Sequence, residues 1–187
     1  MAYVLLTSDY FTGDALIPEM VDLGSPVNAM AQALESSSVA QLQRAVSQYQ
    51  YDYLSRLFSP LFAKDFMENV NSVTLPTNKE ELFLEAHSKV YITIDHVKYS
   101  PAAYYVYYWH MRNSKTTSSM FGEVSIDFTY GRNANNEIKL MDAWNRMVAL
   151  TKPIYLWANS KRTHFAELGY PIKPDARLLV TINRFGI

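Results

Sequence analysis

In the first half of the chain, apolar residues recur every three or four positions, as on one face of a helix. Residues 38–59 carry the longest such stripe, and Pro60 predicts its end because proline disfavours helical geometry in the preceding residue. Ser38 and Gln41 form a capping box that predicts its start after a break at residues 36–38. Shorter helices are expected at residues 27–34 and 61–69, behind a loop-rich arm over residues 1–26.

After residue 85 the pattern changes to the alternation typical of β-strands. We predict strands over residues 89–95, 103–111, 123–130, 154–157 and 178–182. A polar loop at residues 113–119 and one helix at residues 135–151, ended by Pro153, complete this half. The sequence therefore predicts an α+β fold, in which an N-terminal arm and helical region (residues 1–85) precedes an antiparallel β-sheet packed on one helix (residues 86–187).

Two sets of apolar residues are candidates for packing and contact. On one face of the helix at residues 135–151 we expect four structural core residues: Ile138, Met141, Trp144 and Val148. The predicted strand at residues 103–111 is rich in aromatic residues, which suit a core or a subunit interface: Tyr104, Tyr105, Tyr107, Tyr108 and Trp109. Stacking of nucleic-acid bases on these rings is an alternative, although no basic run accompanies them.

Composition and charge describe a folded domain with an uneven charge distribution. The chain has 187 residues, of which 49% are apolar, and no stretch of about 18 apolar residues could cross a membrane. Residues 1–85 hold 4 basic and 11 acidic side chains, whereas residues 86–187 hold 13 and 7. These charges can pair within one fold, or they can favour stacking of identical subunits.

The sequence offers little support for catalysis. Cysteine is absent, and four histidines are too scattered for a metal-ligand pattern: His87, His96, His110 and His164. Six glycines form neither a dinucleotide-binding nor a phosphate-binding loop. We therefore predict no catalytic residue, no cofactor and no metal site, and a protein that is not an enzyme. A triad assembled in space from distant residues is an alternative that no local signature supports.

Residues 123–182 combine a strand, a helix and a second strand in a familiar order. The strand at residues 123–130 leads through Gly131 into a helix at residues 136–150 that contains Trp144. Tyr170-Pro171 then precedes the strand at residues 176–182. This order resembles that of the tube-like baseplate proteins of contractile phage tails, which initiate the tail tube on the central hub.

The resemblance implies a tail-tube-like sheet or barrel and a structural role in a virion assembled in the host cytoplasm. The chain would be a baseplate or tube-initiator subunit of a homo-oligomeric ring, with six subunits as in that family. Its partners would be neighbouring tube and baseplate proteins, with no membrane, and DNA only as passing cargo. A tail terminator or connector protein is one alternative. A single-stranded nucleic-acid-binding protein is the alternative of another class.

Overall fold

The computed structural model describes residues 5–15, 29–69, 77–113, 116–119, 122–125 and 132–183 of the chain. Helices account for 75% of the described residues. Their bounds are α1 Ala29–Leu57, α2 Pro60–Asn69, α3 Thr77–Val90, α4 Pro101–Asn113, α5 Arg132–Ser160 and α6 Arg162–Glu167. The described strands form two antiparallel pairs, β1 Ile92–Ile94 with β2 Val97–Tyr99, and β3 Thr116–Ser119 with β4 Gly122–Ser125. Short 3-10 helices occupy Ser8–Tyr10, Gly13–Ala15 and Ala176–Leu179.

The predicted antiparallel sheet or barrel packed on one helix is wrong. In the described part of the chain the only sheets are these two hairpins, and α4 packs between α1 and α5 as the centre of a helical bundle. Residues 154–157 belong to α5, and residues 178–182 form no strand. Of residues 89–95 only Ile92–Ile94 is a strand, since α3 extends to Val90. Residues 126–130 of another predicted strand lie outside the described residues.

The helix α4 lies where the sequence predicts a strand over residues 103–111. Every residue from Pro101 to Tyr108 is buried, so no polar face interrupts the helix to reveal its period. Its start signal is nevertheless present in the sequence. The Ser100 hydroxyl accepts the Ala102 backbone N–H at 3.2 Å, and Pro101 occupies the first helical position, where a missing N–H costs nothing.

Two predicted helix breaks are also absent. The serines at residues 36–38 lie inside α1. Each serine lowers the stability of a helix by only a few tenths of a kcal/mol relative to alanine, which is too little to end it. Pro153 lies inside α5, although proline in a helix interior costs about 3 kcal/mol. Ile154 and Ala158 beyond it are buried in the core, and their packing offsets this cost.

The ring of Phe62 is the centre of the aromatic core. Five ring centroids lie between 4.7 and 5.4 Å from its own, those of Phe58, Phe66, Phe83, Phe165 and Tyr170. These rings come from the α1–α2 connection, α2, α3, α6 and the segment after α6. One side chain thus joins elements that are more than a hundred residues apart in the chain.

Non-helical segments at both ends of the described chain are held by specific polar contacts. The buried Gln50 side chain accepts the backbone N–H groups of Leu5 and Leu6 at 3.3 and 3.4 Å and donates to the Tyr91 hydroxyl at 2.9 Å. Near the C-terminus, the backbone N–H groups of Lys173 and Asp175 donate to the carbonyls of Phe58 and Arg56. These last contacts satisfy carbonyls that the end of α1 leaves without helical partners.

Ion pairs connect the acidic first half of the chain with the basic second half. Lys98 Nζ lies 2.6 Å from Asp9 Oδ2, and Lys161 Nζ lies 2.6 Å from Glu85 Oε2. Partial burial opposes ionisation of Glu85, but hydrogen bonds from Lys161 and Trp157 lower its pKa. These pairs follow the expectation that opposite charges pair within one fold, and they remove Lys161 from the charges free to attract another subunit.

We predict that Phe62→Ala strongly destabilises the fold. Truncating a buried aromatic ring leaves a cavity and costs about 3–5 kcal/mol, and Phe62 is fully buried. The neighbouring Leu61→Ala is the matched control, because Leu61 is 51% exposed and a surface change costs about 0.5 kcal/mol or less. Urea denaturation of both variants measures the difference, and equal losses would contradict the central place of Phe62.

We also predict that stability falls in mild acid because of His87. Burial lowers the pKa of His87 from the ordinary 6.5, so the folded state favours the neutral ring while the unfolded chain protonates normally. The contribution of His87 is therefore complete above pH 6.5 and is lost as the pH falls through the lowered pKa. The free energy of unfolding, measured by urea denaturation at several pH values, should depend less on pH in His87→Gln than in the parent chain, and an unchanged pH dependence would contradict this role of His87.

Candidate functional site

The aromatic residues predicted in a strand at residues 103–111 lie in α4 and mostly face the core. Tyr104, Tyr105, Tyr107 and Tyr108 are at most 8% exposed within the chain itself. Only Trp109, in the last turns of α4, is half-buried. Four of the five candidate interface residues are therefore covered by other parts of the same chain. In this fold they cannot stack on nucleic-acid bases or contact a neighbouring subunit.

At the C-terminal end of α4, half-buried rings from three helices lie close together and form an aromatic surface. We define this aromatic surface by five residues, Tyr49, Trp109, Arg112, Asn113 and Trp144. The ring of Trp109 stacks near Tyr49 of α1 with centroids 6.4 Å apart. The buried Tyr108 bridges the two tryptophans, with centroids 5.4 Å from Trp109 and 4.8 Å from Trp144 of α5.

Polar groups fix the position of these rings. The guanidinium of the exposed Arg112 lies 5.4 Å from the Trp109 ring centroid, and its Nη1 donates to the Tyr108 hydroxyl at 3.0 Å. The Asn113 amide donates to the Tyr49 hydroxyl at 2.6 Å. A guanidinium over an aromatic face is attracted by the negative charge of the ring face. The aromatic surface is consequently held in one arrangement before any partner binds.

Beneath the aromatic surface, a hydrogen-bonded chain joins α4 to α1. The Tyr105 hydroxyl donates to Asp52, whose carboxylate also accepts a bond of 3.0 Å from Arg56 Nε. Burial, and next the bond to the Asp52 carboxylate, raise the pKa of Tyr105 above its ordinary value. Tyr105 therefore stays protonated at neutral pH and acts as a structural donor.

The four predicted core residues of α5 occupy different environments. Val148 is 6% exposed and lies in the core, whereas Ile138 is 37% exposed. Met141 and Trp144 are half-buried. The predicted helical phase is wrong at the N-terminal end of the stripe, because Ala143 lies in the core there, while Leu140 packs against the core as Trp144 does.

Trp144 and its neighbour Asn145 hold the C-terminal segment against α5. Trp144 Nε1 donates to the Val180 carbonyl at 2.7 Å. Asn145 donates to the Ile182 carbonyl and accepts the Ile182 N–H, both at 2.9 Å. The amide side chain of Asn145 thus supplies Ile182 with the donor and the acceptor that a neighbouring strand would otherwise provide.

Beside Asn145, an open cleft of about 460 Å³ lies along the exposed face of α5. Its described lining residues are Lys139, Asp142, Asn145, Arg146 and Ala149. The lining carries both signs of charge, and Asn145 already bonds Ile182. The cleft offers no convergent set of groups for a defined ligand.

The titratable residues do not assemble into a reactive cluster among the described residues. His87 lies in α3, His96 in the turn between β1 and β2, His110 in α4 and His164 in α6. No group of three or more potential metal-ligating side chains is present in the part of the chain that the structure describes. Among the described helices, none combines the length and apolar character needed to cross a lipid bilayer.

Comparisons with known proteins give no relative. No family model, curated protein or solved structure matches this chain. The sequence predicts Trp109 as an interface residue and Trp144 as a core residue, but it gives no indication that Tyr49, Arg112 and Asn113 belong to the aromatic surface. Tyr49 could not be found from the sequence, because only the fold brings α1 beside the end of α4. Arg112 had one local signal, since it stands four positions after Tyr108, a spacing typical of contacting residues on a helix.

We predict that Asn145→Ala loosens the C-terminal segment without unfolding the bundle. The variant loses two partly buried hydrogen bonds to Ile182, which together contribute about 1–2 kcal/mol. Hydrogen exchange at Ile182 should become faster. Asp142→Ala changes an exposed residue of the same helix and should leave that exchange unchanged, and equal effects in both variants would contradict the role of Asn145.

Proposed function

We propose that the chain is a non-catalytic assembly subunit of a larger protein particle, and that it binds a neighbouring protein through the aromatic surface. The observation that carries this proposal is the row of half-buried rings, Tyr49, Trp109 and Trp144, capped by the exposed Arg112. Tryptophan, tyrosine and arginine dominate the residues that provide most of the binding energy in protein interfaces.

The rigidity of the aromatic surface favours a protein partner. The hydrogen bonds of Asn113 to Tyr49 and of Arg112 to Tyr108 already restrict these side chains. Binding therefore loses little rotamer entropy, which otherwise costs about 0.5–1.5 kcal/mol for each immobilised side chain. A single arginine is too little for phosphate tracking along a nucleic acid, where several basic groups line the groove.

The absence of catalysis is part of the same proposal. The half-buried carboxylates and their tyrosine or tryptophan partners serve to join elements of the fold. Asp65 accepts from the Tyr170 hydroxyl at 2.9 Å, and Glu85 accepts from Trp157 Nε1 at 2.7 Å. Lys79 Nζ also donates to the Tyr170 hydroxyl at 3.1 Å, and Lys161 Nζ lies 2.6 Å from Glu85 Oε2, so each carboxylate belongs to a small polar network that connects elements of the fold.

The identity of the particle rests on the sequence pattern of residues 123–182 alone. That resemblance supports a bacteriophage tail as the particle, with further copies of the chain and neighbouring tail proteins as partners, although residues 178–182 do not form the last strand of the pattern. The strands in the described part of the chain form only two hairpins, so this part of such a subunit would contact its neighbours through side-chain surfaces and short strand edges instead of a shared barrel.

We predict that Arg112→Ala and Trp109→Ala exclude the chain from its particle while the fold is retained. Removing a central tryptophan or arginine from an interface costs about 2 kcal/mol or more, roughly a 30-fold loss of affinity. The measurement is the share of tagged chain that co-sediments with purified particles on a density gradient. Circular dichroism verifies folding.

Leu156→Ala is the matched control, because Leu156 is 61% exposed on α5 and lies outside the aromatic surface. It should enter the particle like the parent chain. Equal incorporation of all three variants would contradict the proposal, as would a chain found only free of particles. Salt-sensitive binding of a single-stranded oligonucleotide that Trp109→Ala abolishes would favour the nucleic-acid alternative.

A further inference from the structure

The hairpin of β1 and β2 has a fixed and regular geometry. Ile92 faces Tyr99, Thr93 faces Lys98, and Ile94 faces Val97. Asp95 and His96 form the two-residue turn with φ of 48° and 66°. Positive φ at both positions defines a turn of type I′, whose twist matches that of the strands.

One side of this hairpin is entirely apolar. Because side chains alternate along a strand, Ile92 and Ile94 share a side with Val97 and Tyr99. Ile94 is 57% and Val97 is 40% exposed. The tip of the hairpin thus presents β-branched side chains to solvent.

The two edges of the hairpin differ. The strand β2 lies close to residues 8–10, and Lys98 Nζ contacts Asp9 Oδ2 at 2.6 Å. The edge of β1 has no strand partner among the described residues. A two-residue turn makes Ile94 and Val97 a hydrogen-bonded pair, so the next pair, Thr93 and Lys98, is not hydrogen-bonded. The backbone N–H and C=O of Thr93 therefore point away from β2, to the open edge.

We propose that the edge of β1 binds β1 of a second copy of this chain, antiparallel and centred on Thr93. The strand reads Ile92-Thr93-Ile94, the same in both directions, so a two-fold axis at Thr93 places threonine opposite threonine and isoleucine opposite isoleucine. Such cross-strand pairs are favourable. This inference rests on the proposed assembly function, for which it names a partner.

The edge of β1 has one of the devices that usually prevent such pairing, its length of only three residues, and lacks the others. Natural edge strands also carry a lysine, a proline, a bulge or an inward charge, and Ile92–Ile94 has none of these. Pairing gives each Thr93 two backbone hydrogen bonds and joins two two-stranded hairpins into one four-stranded sheet. A two-stranded sheet is only marginally stable alone, so completion by a second copy stabilises it. A contact of three residues per copy is weak, which suits subunits that meet at high local concentration.

Charge exchange at Thr93 tests this pairing. Thr93→Lys and Thr93→Glu each place like charges opposite one another across the two-fold axis, and each should weaken self-association about tenfold or more. A one-to-one mixture of the two variants should regain it, because lysine then faces glutamate. Thr93→Val keeps the backbone N–H and, unlike the other two variants, adds no charge, so it should associate like the parent chain. Sedimentation equilibrium of the purified chain up to millimolar concentration is the measurement, with thermal melting to verify folding.

A parent chain that stays monomeric at millimolar concentration would overturn the inference, and so would a mixture that associates no better than its components. This experiment measures the isolated chain, so such a failure would not contradict incorporation into particles through the aromatic surface. Conversely, a chain that pairs through Thr93 but never enters a particle would support the dimer and contradict the proposed function.

Discussion

The packing of aromatic rings around Phe62 is the constraint on which the rest of the fold depends. This one ring contacts side chains of α2, α3, α6 and the segment after α6. Aromatic rings bury large areas and prefer tilted or edge-to-face arrangements, so their contacts fix both the distance and the orientation of the elements that carry them. The C-terminal segment reaches the end of α1 because Tyr170 belongs to this cluster, and the backbone bonds of Lys173 and Asp175 follow from that placement.

How far the sequence predicts this fold depends on how much of each helix meets solvent. The later part of α1 has one apolar and one polar side, and its period revealed a helix with an accurate end near Pro60. The first eight residues of α4 are buried on every side, so the same test could not separate helix from strand, and the aromatic composition favoured the wrong one. Local signals such as Ser100-Pro101 were the better guide there. In α5, tertiary packing overrode the local effect of Pro153, which no local pattern could predict.

For the candidate site, too, the sequence predicts local features but not those that depend on tertiary packing. The sequence predicts both of its tryptophans as packing or contact residues, Trp109 for an interface and Trp144 for the core. Their exposure could not be predicted, since it depends on which turns of α4 and α5 leave the core. Tyr49 joins Trp109 only because α1 packs beside α4. The uneven charge distribution was visible in the sequence as well, but its partial neutralisation by Lys98 with Asp9 and Lys161 with Glu85 requires the folded chain.

The burial of α4 also determines what the chain can offer to partners. Its tyrosines are occupied by the core, so contacts are restricted to its two ends. The β1–β2 hairpin directly precedes its first turn, and the aromatic surface surrounds its last turn. A helix of 13 residues is about 20 Å long at 1.5 Å per residue. Because this helix is enclosed between α1 and α5, it keeps the two proposed contact sites at a fixed separation and orientation. A subunit that holds two different contacts rigidly apart can impose a defined geometry on the chains that it joins.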